Sequence, residues 1–285
     1  MAPMPTYRDE AIVLRTHKLG EADRIITLFT RGRGKVRAVA RGVRRTSSKF
    51  GGRLEPFSHV DLQLVEGRSL DIITQAVQLH AWADPLAADY ERFTAGQVML
   101  ETADRLVSVE GEPALQQYLL LAGALRVLGQ GTTDGPRPAS MVLNSYLVRS
   151  LAVAGYAPTL DACGRCGVAL PEPDYPDAMW FSPMAGGLAC RQHRAPGAAR
   201  ISEATLALLV ALLTGDWAAT REVSVADQRT VSGLVAAFTQ WHLDHGLRTM
   251  NYLERSWASP DAPAGQSFAG EGSGQSPHNP NISRS

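Results

Sequence analysis

The sequence predicts a multidomain α+β protein, with a small β-barrel in residues 1–82 followed by an all-α domain in residues 83–258. Between residues 10 and 80, apolar residues occur in short runs and alternations separated by turn residues, which is typical of strands. After residue 84 the apolar spacing changes to about 3.6 residues, which is typical of helices. Gly, Pro and Ser make up 14 of the last 27 residues, so residues 259–285 are expected to be a disordered tail.

Five strands are expected in the first part, at residues 11–14, 24–30, 34–41, 57–65 and 70–80. Turn residues separate them at regular spacing, and five short strands in about 70 residues suggest a small closed barrel. An oligonucleotide-binding (OB) barrel is the first choice, because that fold commonly binds nucleic acid. An SH3-like barrel is the alternative.

The charges are unevenly distributed along a chain whose formal net charge is zero. Residues 1–53 carry 13 Lys and Arg but four Asp and Glu, and nine of those cations lie between residues 31 and 53 without an acidic residue among them. On a strand, Lys35, Arg37 and Arg41 would share one face, opposite an apolar one. A basic face on a small β-domain is expected of a protein that binds the phosphate backbone with little sequence specificity.

All three cysteines lie in one pattern with a histidine, C-x2-C-x23-C-x2-H, formed by Cys163, Cys166, Cys190 and His193. Two residues between ligands allow a tight turn to bring both side chains onto one metal ion. Four ligands leave no open position on zinc, so the pattern predicts one structural zinc ion in a module at about residues 160–195, inserted in the helical domain. Asp161 is an alternative fourth ligand, and three buried thiols beside a surface histidine are the alternative without metal.

No catalytic motif accompanies these residues. A zinc deaminase needs His-x-Glu together with Pro-Cys-x-x-Cys, and neither this pair nor HExxH, a Walker A loop, GxGxxG or GxSxG occurs. A non-enzymatic protein is therefore predicted, with a metal-dependent nucleic-acid enzyme and a zinc-stabilised RNA-binding regulator as alternatives. The N-terminus has no apolar signal-peptide core and no apolar run is long enough for a membrane span, so a cytoplasmic protein is expected.

Several stretches of this sequence resemble motifs of a known bacterial family and occur in the same order as in that family. They are EAIVLR at 10–15, GEADRII at 20–26, LEPF at 54–57, and the Cys-x-x-Cys pair with its distant third cysteine. In these the chain resembles the bacterial RecO family of recombination mediators. The resemblance covers roughly residues 7–255. It implies an OB domain, a helical domain and a zinc module that together bind single- and double-stranded DNA and anneal complementary strands. It also implies action at the nucleoid with RecR, which helps to load RecA onto DNA coated by single-strand-binding protein.

The resemblance and the charge distribution together nominate eleven DNA-binding residues. Those implied by the resemblance are Arg15, Lys18, Arg24, Arg33, Lys35, Arg37 and Arg41, and the basic stretch adds Arg31, Arg44, Arg45 and Lys49. Many zinc-bearing relatives carry a fourth cysteine where this chain has His193, and some lack the site. That variation implies that the metal stabilises the fold and performs no chemistry.

Overall fold

The computed structural model describes residues 4–171 and 179–243. The expected tail, the end of the expected helical domain and residues 172–178 of the expected zinc module lie outside the described residues. The strands of the N-terminal part are β1 (Thr6–Leu19), β2 (Asp23–Thr30), β3 (Gly34–Ala40), β4 (Ser58–Val65) and β5 (Asp71–Ala81). These confirm the five predicted strands.

The five strands form a closed barrel in the order β1-β2-β3-β5-β4. All neighbouring strands are antiparallel except β3 and β5, which are parallel where Ala38 lies opposite Asp71. β1 is longer than its predicted apolar run because it pairs with β4 along its first half and with β2 along its second, with a register shift between Val13 and Arg15. Such a bulge bends a strand and lets it serve both sides of a closure.

The middle of β1, residues 11–14, and the second half of β2, residues 26–30, are buried on both faces. Ala11 and Leu28 belong to the core inside the barrel, whereas the adjacent Ile12 and Phe29 belong to the core of the helical part. Burial on both faces accounts for the continuous apolar runs in these strands, where a half-exposed strand would alternate. The barrel and the helices are therefore joined by one continuous apolar interface.

The connection from β3 to β4 closes one end of the barrel. Phe50 and Leu54 are buried in the barrel core, and Leu54 ends a short 3-10 helix, Gly51–Leu54. Nearby, Arg53 Nη1 donates to the carbonyl of Ala76 on β5 at 3.2 Å. These contacts fix the connection against the barrel.

The helices of the described residues are α1 (Ala83–Ala87), α2 (Tyr90–Leu106), α3 (Leu115–Gln130), α4 (Ala139–Val153), α5 (Glu203–Thr214) and α6 (Val225–His242). None of them is both long and apolar enough to cross a membrane.

The apolar spacing after residue 84 predicts one long helix, but the structure has the pair α1 and α2 there. The break comes at Asp89, whose side chain accepts a hydrogen bond from the backbone N–H of Arg92 and caps α2. In the sequence, Ser202 is a predicted N-cap and Gly215 is predicted to lie just past the end of a helix. Both predictions are confirmed, because Ser202 caps α5 and Gly215 ends it in a left-handed conformation.

Most apolar positions expected in the helical core are buried, including Val142, Tyr146 and Leu147 of α4. Five others are exposed, and four of these lie in the first or last turn of a helix, although Phe93 still packs on Phe57 with ring centroids 5.6 Å apart. The five exposed residues are Tyr90, Phe93, Leu115, Leu119 and Trp241.

The cysteine-containing region is rich in Pro and Gly, which predicts irregular structure, but it forms a small sheet. Its strands, β6 (Trp180–Ser182), β7 (Gly187–Ala189) and β8 (Ala199–Arg200), pair in the order β7-β6-β8 and are too short to produce a period in the sequence. Phe181 packs edge-on against Phe238 of α6, with ring centroids 5.7 Å apart. The module is therefore continuous with the helical core.

Candidate nucleic-acid interface and metal centre

The eleven cations predicted to bind nucleic acid fall into two groups. Six have a carboxylate partner within the protein and form the paired set. Five have no ion-pair partner among the described residues; with Arg53, which the sequence patterns did not nominate, they form the open rim. The paired set consists of Arg15 and Lys35 (both with Asp104), Arg24 (Glu55), Arg31 (Glu10), Arg33 (Glu66) and Arg37 (Glu110). The open rim consists of Lys18, Arg41, Arg44, Arg45, Lys49 and Arg53, all exposed.

Lys35 lies at the junction between the barrel and the helical part. Its Nζ donates to the main-chain carbonyl of Asp104 at 2.8 Å and to Oδ1 of the same residue at 3.2 Å. The backbone N–H of Gly111 donates to the carbonyl of Lys35 at 2.9 Å. The predicted parity of β3 is confirmed, but Lys35 is not exposed beside Arg37, because the end of α2 covers it.

Two arginines also form ion pairs at this junction. Arg15 Nε lies 3.0 Å from Asp104 Oδ2, so one carboxylate serves both Arg15 and Lys35. Arg37 Nε lies 2.5 Å from Oε1 of Glu110, in the segment that follows α2. These pairs place the helical part against the outer face of β1 and β3.

The open rim begins where three strands end side by side. Lys18 on β1 lies opposite Arg24 on β2, and Arg24 lies opposite Ala40 on β3, directly before Arg41. Neighbouring strands are about 4.8 Å apart, so the backbones that carry Lys18 and Arg41 are about 10 Å apart.

The turn after β3 continues the rim by docking onto the turn between β1 and β2. Gly42, with a left-handed φ of 65°, donates its N–H to Asp23 Oδ1 at 2.7 Å. The N–H of Arg44 donates to the carbonyl of Ala22 at 3.0 Å, and its guanidinium donates to the carbonyl of Glu21 at 2.8 Å. These contacts fix the turn through its backbone and through the guanidinium of Arg44, and they leave the side chains of Arg41 and Arg45 exposed beside it.

A polar cluster, missed in the sequence because His59 looks isolated there, lies on the helix-covered side of the barrel. His59 Nε2 is 2.7 Å from Glu10 Oε1 and 3.0 Å from the hydroxyl of Tyr118 on α3. Burial lowers the pKa of His59, although Glu10 opposes the shift. Burial would raise the pKa of Glu10, but hydrogen bonds from Arg31, Tyr118 and His59 outweigh it and lower the pKa. Glu10 is therefore charged and His59 neutral near pH 7.

The four predicted metal ligands converge on one point. Their ligand atoms all lie within 4.8 Å of one another, with Cys190 Sγ 3.3 Å from His193 Nδ1 and Cys166 Sγ 3.9 Å from Cys190 Sγ. Zinc–sulfur bonds of about 2.3 Å in a tetrahedron separate the ligand atoms by about 3.8 Å. The donor set and its spacing therefore fit a metal ion, consistent with zinc. The fourth member of the cluster is His193, and the alternative Asp161 is not part of it.

Two backbone turns hold the cluster. Gly167 N–H donates to the carbonyl of Cys163 at 2.8 Å, and His193 N–H donates to the carbonyl of Cys190 at 3.1 Å. Burial would raise the pKa of the Cys163 thiol, but hydrogen bonds from the backbone of Cys190, Cys166 and Arg165 lower it to about 6. A thiolate is the form that ligates metal, so the turns also prepare the ligand chemically.

A closed barrel with a rim of exposed cations, joined to a helical bundle with a Cys3His cluster that could hold a metal ion, is the architecture expected of a nucleic-acid-binding protein. Residues 4–82 match the family model of recombination protein O N terminal, and residues 87–251 match that of recombination protein O C terminal. This chain belongs to the RecO family, a family of DNA repair and recombination proteins. The resemblance seen in the sequence is confirmed.

Relatives named DNA repair protein RecO align with this chain over nearly their whole length. The chain is 60% identical over 252 residues to the DNA repair protein RecO of Cutibacterium acnes, an alignment that covers 88% of this chain and 100% of that protein. It is 57% identical over 249 residues to the RecO protein of a Nocardioides species, covering 87% of this chain and 99% of the relative. RecO proteins are recombination mediators and not enzymes, so the alternative of a metal-dependent enzyme is rejected.

Proposed function

We propose that this protein binds single- and double-stranded DNA through the open rim. The observation that carries this proposal is the set of exposed cations at one end of the barrel without carboxylate partners in the described part of the chain. Cations that neutralise phosphates release condensed counterions, which favours binding. Phosphates are common to both forms of DNA, so the rim suits both and reads little sequence.

We infer that the barrel is of the OB type, because OB barrels share its strand order and its single parallel pairing of β3 with β5. The domain boundaries proposed are residues 1–82 for the barrel and 83–258 for the helical domain, with the zinc module at about 160–195.

Annealing of complementary strands follows from the same chemistry. A cationic surface that binds phosphates of both strands lowers their mutual repulsion and raises their local concentration. Membership of the RecO family supports a role in which this protein, with RecR, helps to load RecA onto chromosomal DNA coated by single-strand-binding protein, at the nucleoid in the cytoplasm.

We propose that Cys163, Cys166, Cys190 and His193 hold one structural zinc ion. A bound zinc ion would cross-link the two cysteine turns, and four protein ligands leave no coordination position for a substrate. Cys163 and Cys190 are buried in the helical core, which supports a scaffold role. Metal analysis of freshly purified protein should give about one equivalent, and less than about half an equivalent would argue against the site.

The experiment that tests the proposed function is annealing of complementary DNA strands coated with single-strand-binding protein. The wild-type protein should accelerate annealing, and a variant with Lys18→Glu, Arg41→Glu and Arg45→Glu should lose most of that acceleration. Arg229→Glu is the control, because Arg229 is an exposed cation of α6 with no described ion-pair partner. Equal activity of the rim variant and the control would contradict the rim as the binding site, and tighter binding of RNA than of DNA would favour the RNA-binding alternative.

A further inference from the structure

Arg37 and Glu110 form an ion pair at the border of the open rim. Arg37 lies on the outer face of β3, four residues before Arg41, a distance of about 13 Å along an extended chain. Glu110 lies in the segment between α2 and α3, which crosses the start of β3. That segment is anchored by its backbone, because Gly111 N–H donates to the carbonyl of Lys35 and residues 35 and 110 form a parallel bridge. The carboxylate of Glu110 is therefore held beside Arg37 by contacts that do not involve either side chain.

Exposure separates this ion pair from its neighbour. The side chains of Arg37 and Glu110 are 45% and 41% exposed, whereas those of Lys35 and Asp104 are 11% and 19% exposed. Exposed ion pairs contribute little to stability, so the Arg37–Glu110 pair can open at small cost. Opening the Lys35–Asp104 pair would leave charges in a covered site, which is far less favourable.

Resting on the function proposed above, we propose that Glu110 is a displaceable counter-ion that holds Arg37 until a DNA phosphate takes its place. A guanidinium accepts either partner, because it forms charge-assisted hydrogen bonds with carboxylate and phosphate alike. DNA bound at the rim raises the local concentration of phosphate near Arg37. The exchange extends the bound surface from the rim along β3, while Glu110 opposes anions that are not already held by the rim. Glu110 thus adjusts how strongly and how selectively the barrel binds a polyanion.

The test uses the full-length protein and a matched pair of variants, Glu110→Gln and Glu112→Gln. Glu112 is an exposed carboxylate two residues further along the same segment, and it has no ion-pair partner among the residues described. Both variants remove one negative charge, but only Glu110→Gln frees Arg37. Binding of a fluorescent oligothymidine is measured by anisotropy over a range of salt concentrations.

Glu110→Gln should raise the affinity at low salt about two- to five-fold, the range expected for loss of a competing exposed ion pair. The slope of log affinity against log salt should become steeper by up to about 0.7, the value for one phosphate contact on a single strand. Glu112→Gln should change neither quantity by as much. In an Arg37→Gln background the gain from Glu110→Gln should vanish, and thermal unfolding should show that all variants remain folded.

The possible failures are distinguishable. If the wild-type protein binds DNA and Glu110→Gln behaves like Glu112→Gln, the counter-ion proposal is overturned and the proposed function stands. A gain that persists in the Arg37→Gln background also overturns it, since the effect would then be general repulsion. No measurable binding of DNA by the wild-type protein would overturn the proposed function, and this inference with it.

Discussion

On the helix-covered flank of the barrel, Lys35 donates to Asp104 and Glu10 accepts from Tyr118, whereas at the open rim Arg41 and Arg45 have no ion-pair partner among the described residues. The first region, which contains Lys35, Asp104, Glu10, His59 and Tyr118, is called the covered flank. The covered flank and the open rim share strands β1 and β3. Their difference shows that a count of cations does not identify a binding surface. The contacts contributed by distant parts of the chain decide which cations remain available.

Substitutions in the two regions should therefore affect different properties of the protein. Changes on the covered flank should alter the free energy of unfolding and leave DNA affinity nearly unchanged. Changes at the open rim should do the reverse. The buried residues give the reason for this difference. One apolar cluster runs from Phe29 of the barrel through the helical bundle to Cys190 of the metal cluster, so the covered flank adjoins the core that stabilises the fold.

The largest expected effect on stability comes from Cys190→Ser, which removes one of the four proposed metal ligands and a buried core thiol. Loss of a metal site is among the changes that cost more than about 4 kcal/mol. For a protein of this size each kcal/mol corresponds to about 2–4 °C in Tm, so Tm should fall by roughly 10 °C. Thermal unfolding followed by circular dichroism measures this shift.

The barrel residues Ile12 and Phe29 pack in the same apolar core as the helices. Thermal unfolding of Cys190→Ser should therefore still show one cooperative transition. At temperatures below that transition, its DNA affinity should be close to that of the wild type. Cys166→Ser is the comparison, since Cys166 is a proposed ligand that is exposed and contributes little packing. A separate, unshifted transition of the barrel would contradict the continuous core.

The next effect is that of Lys35→Met. Breaking a nearly buried ion pair costs about 3 kcal/mol, although Arg15 still neutralises Asp104 in the variant. Urea unfolding should show this loss, and the exposed Arg37→Gln should cost less than about 1 kcal/mol. A Lys35→Met variant as stable as Arg37→Gln would mean that the flank is not closed.

The smallest effect is a pH dependence from His59. Burial lowers its pKa below the ordinary value of 6.5, so the unfolded chain binds a proton in the range where the folded protein does not. The contribution of His59 to stability is therefore fully present above about pH 6.5, and it is lost as the pH falls from there through the pKa of the folded protein. The loss is small because Glu10 opposes the effect of burial.

His59→Gln should flatten the pH dependence of unfolding between about pH 5 and 7. DNA affinity over the same range should stay constant, because the rim contains only lysine and arginine. An equal pH slope in wild type and variant, or an affinity that follows the titration, would contradict the assignment of His59 to the covered flank.

Local sequence patterns were sufficient for the strands, the helix caps and the metal cluster. Alternation along 57–65 places Val60, Leu62 and Leu64 inside the barrel, and Ser202 with Gly215 delimits α5. Cys163 and His193 are 30 positions apart, but each belongs to a short turn whose ligand spacing is visible in the sequence. In each case a local pattern was enough for the prediction, even where the fold then joins distant residues.

The polar contacts of the barrel cations and of His59 were not predictable, because their partners lie far away in the chain. Lys35 and Asp104 are separated by 69 positions, and His59 and Tyr118 by 59. The basic stretch contains no acid within itself, so its local sequence gives no signal that the fold supplies Asp104, Glu110 and Glu66 as partners. For the same reason the alternation along β3 predicts which residues lie on its outer face, but it does not predict which of them the helical part covers.

The most direct test compares two variants in the same pair of assays: the rim variant Lys18→Glu, Arg41→Glu, Arg45→Glu, and the flank variant Lys35→Met. Six rim contacts predict a wild-type slope of log affinity against log salt near −4 for single strands, at about −0.7 per phosphate. The rim variant should flatten this slope by about 2 with an unchanged Tm, and the flank variant should lower Tm with an unchanged slope. An unchanged slope in the rim variant, or a flattened slope in a flank variant that keeps its Tm, would contradict the account.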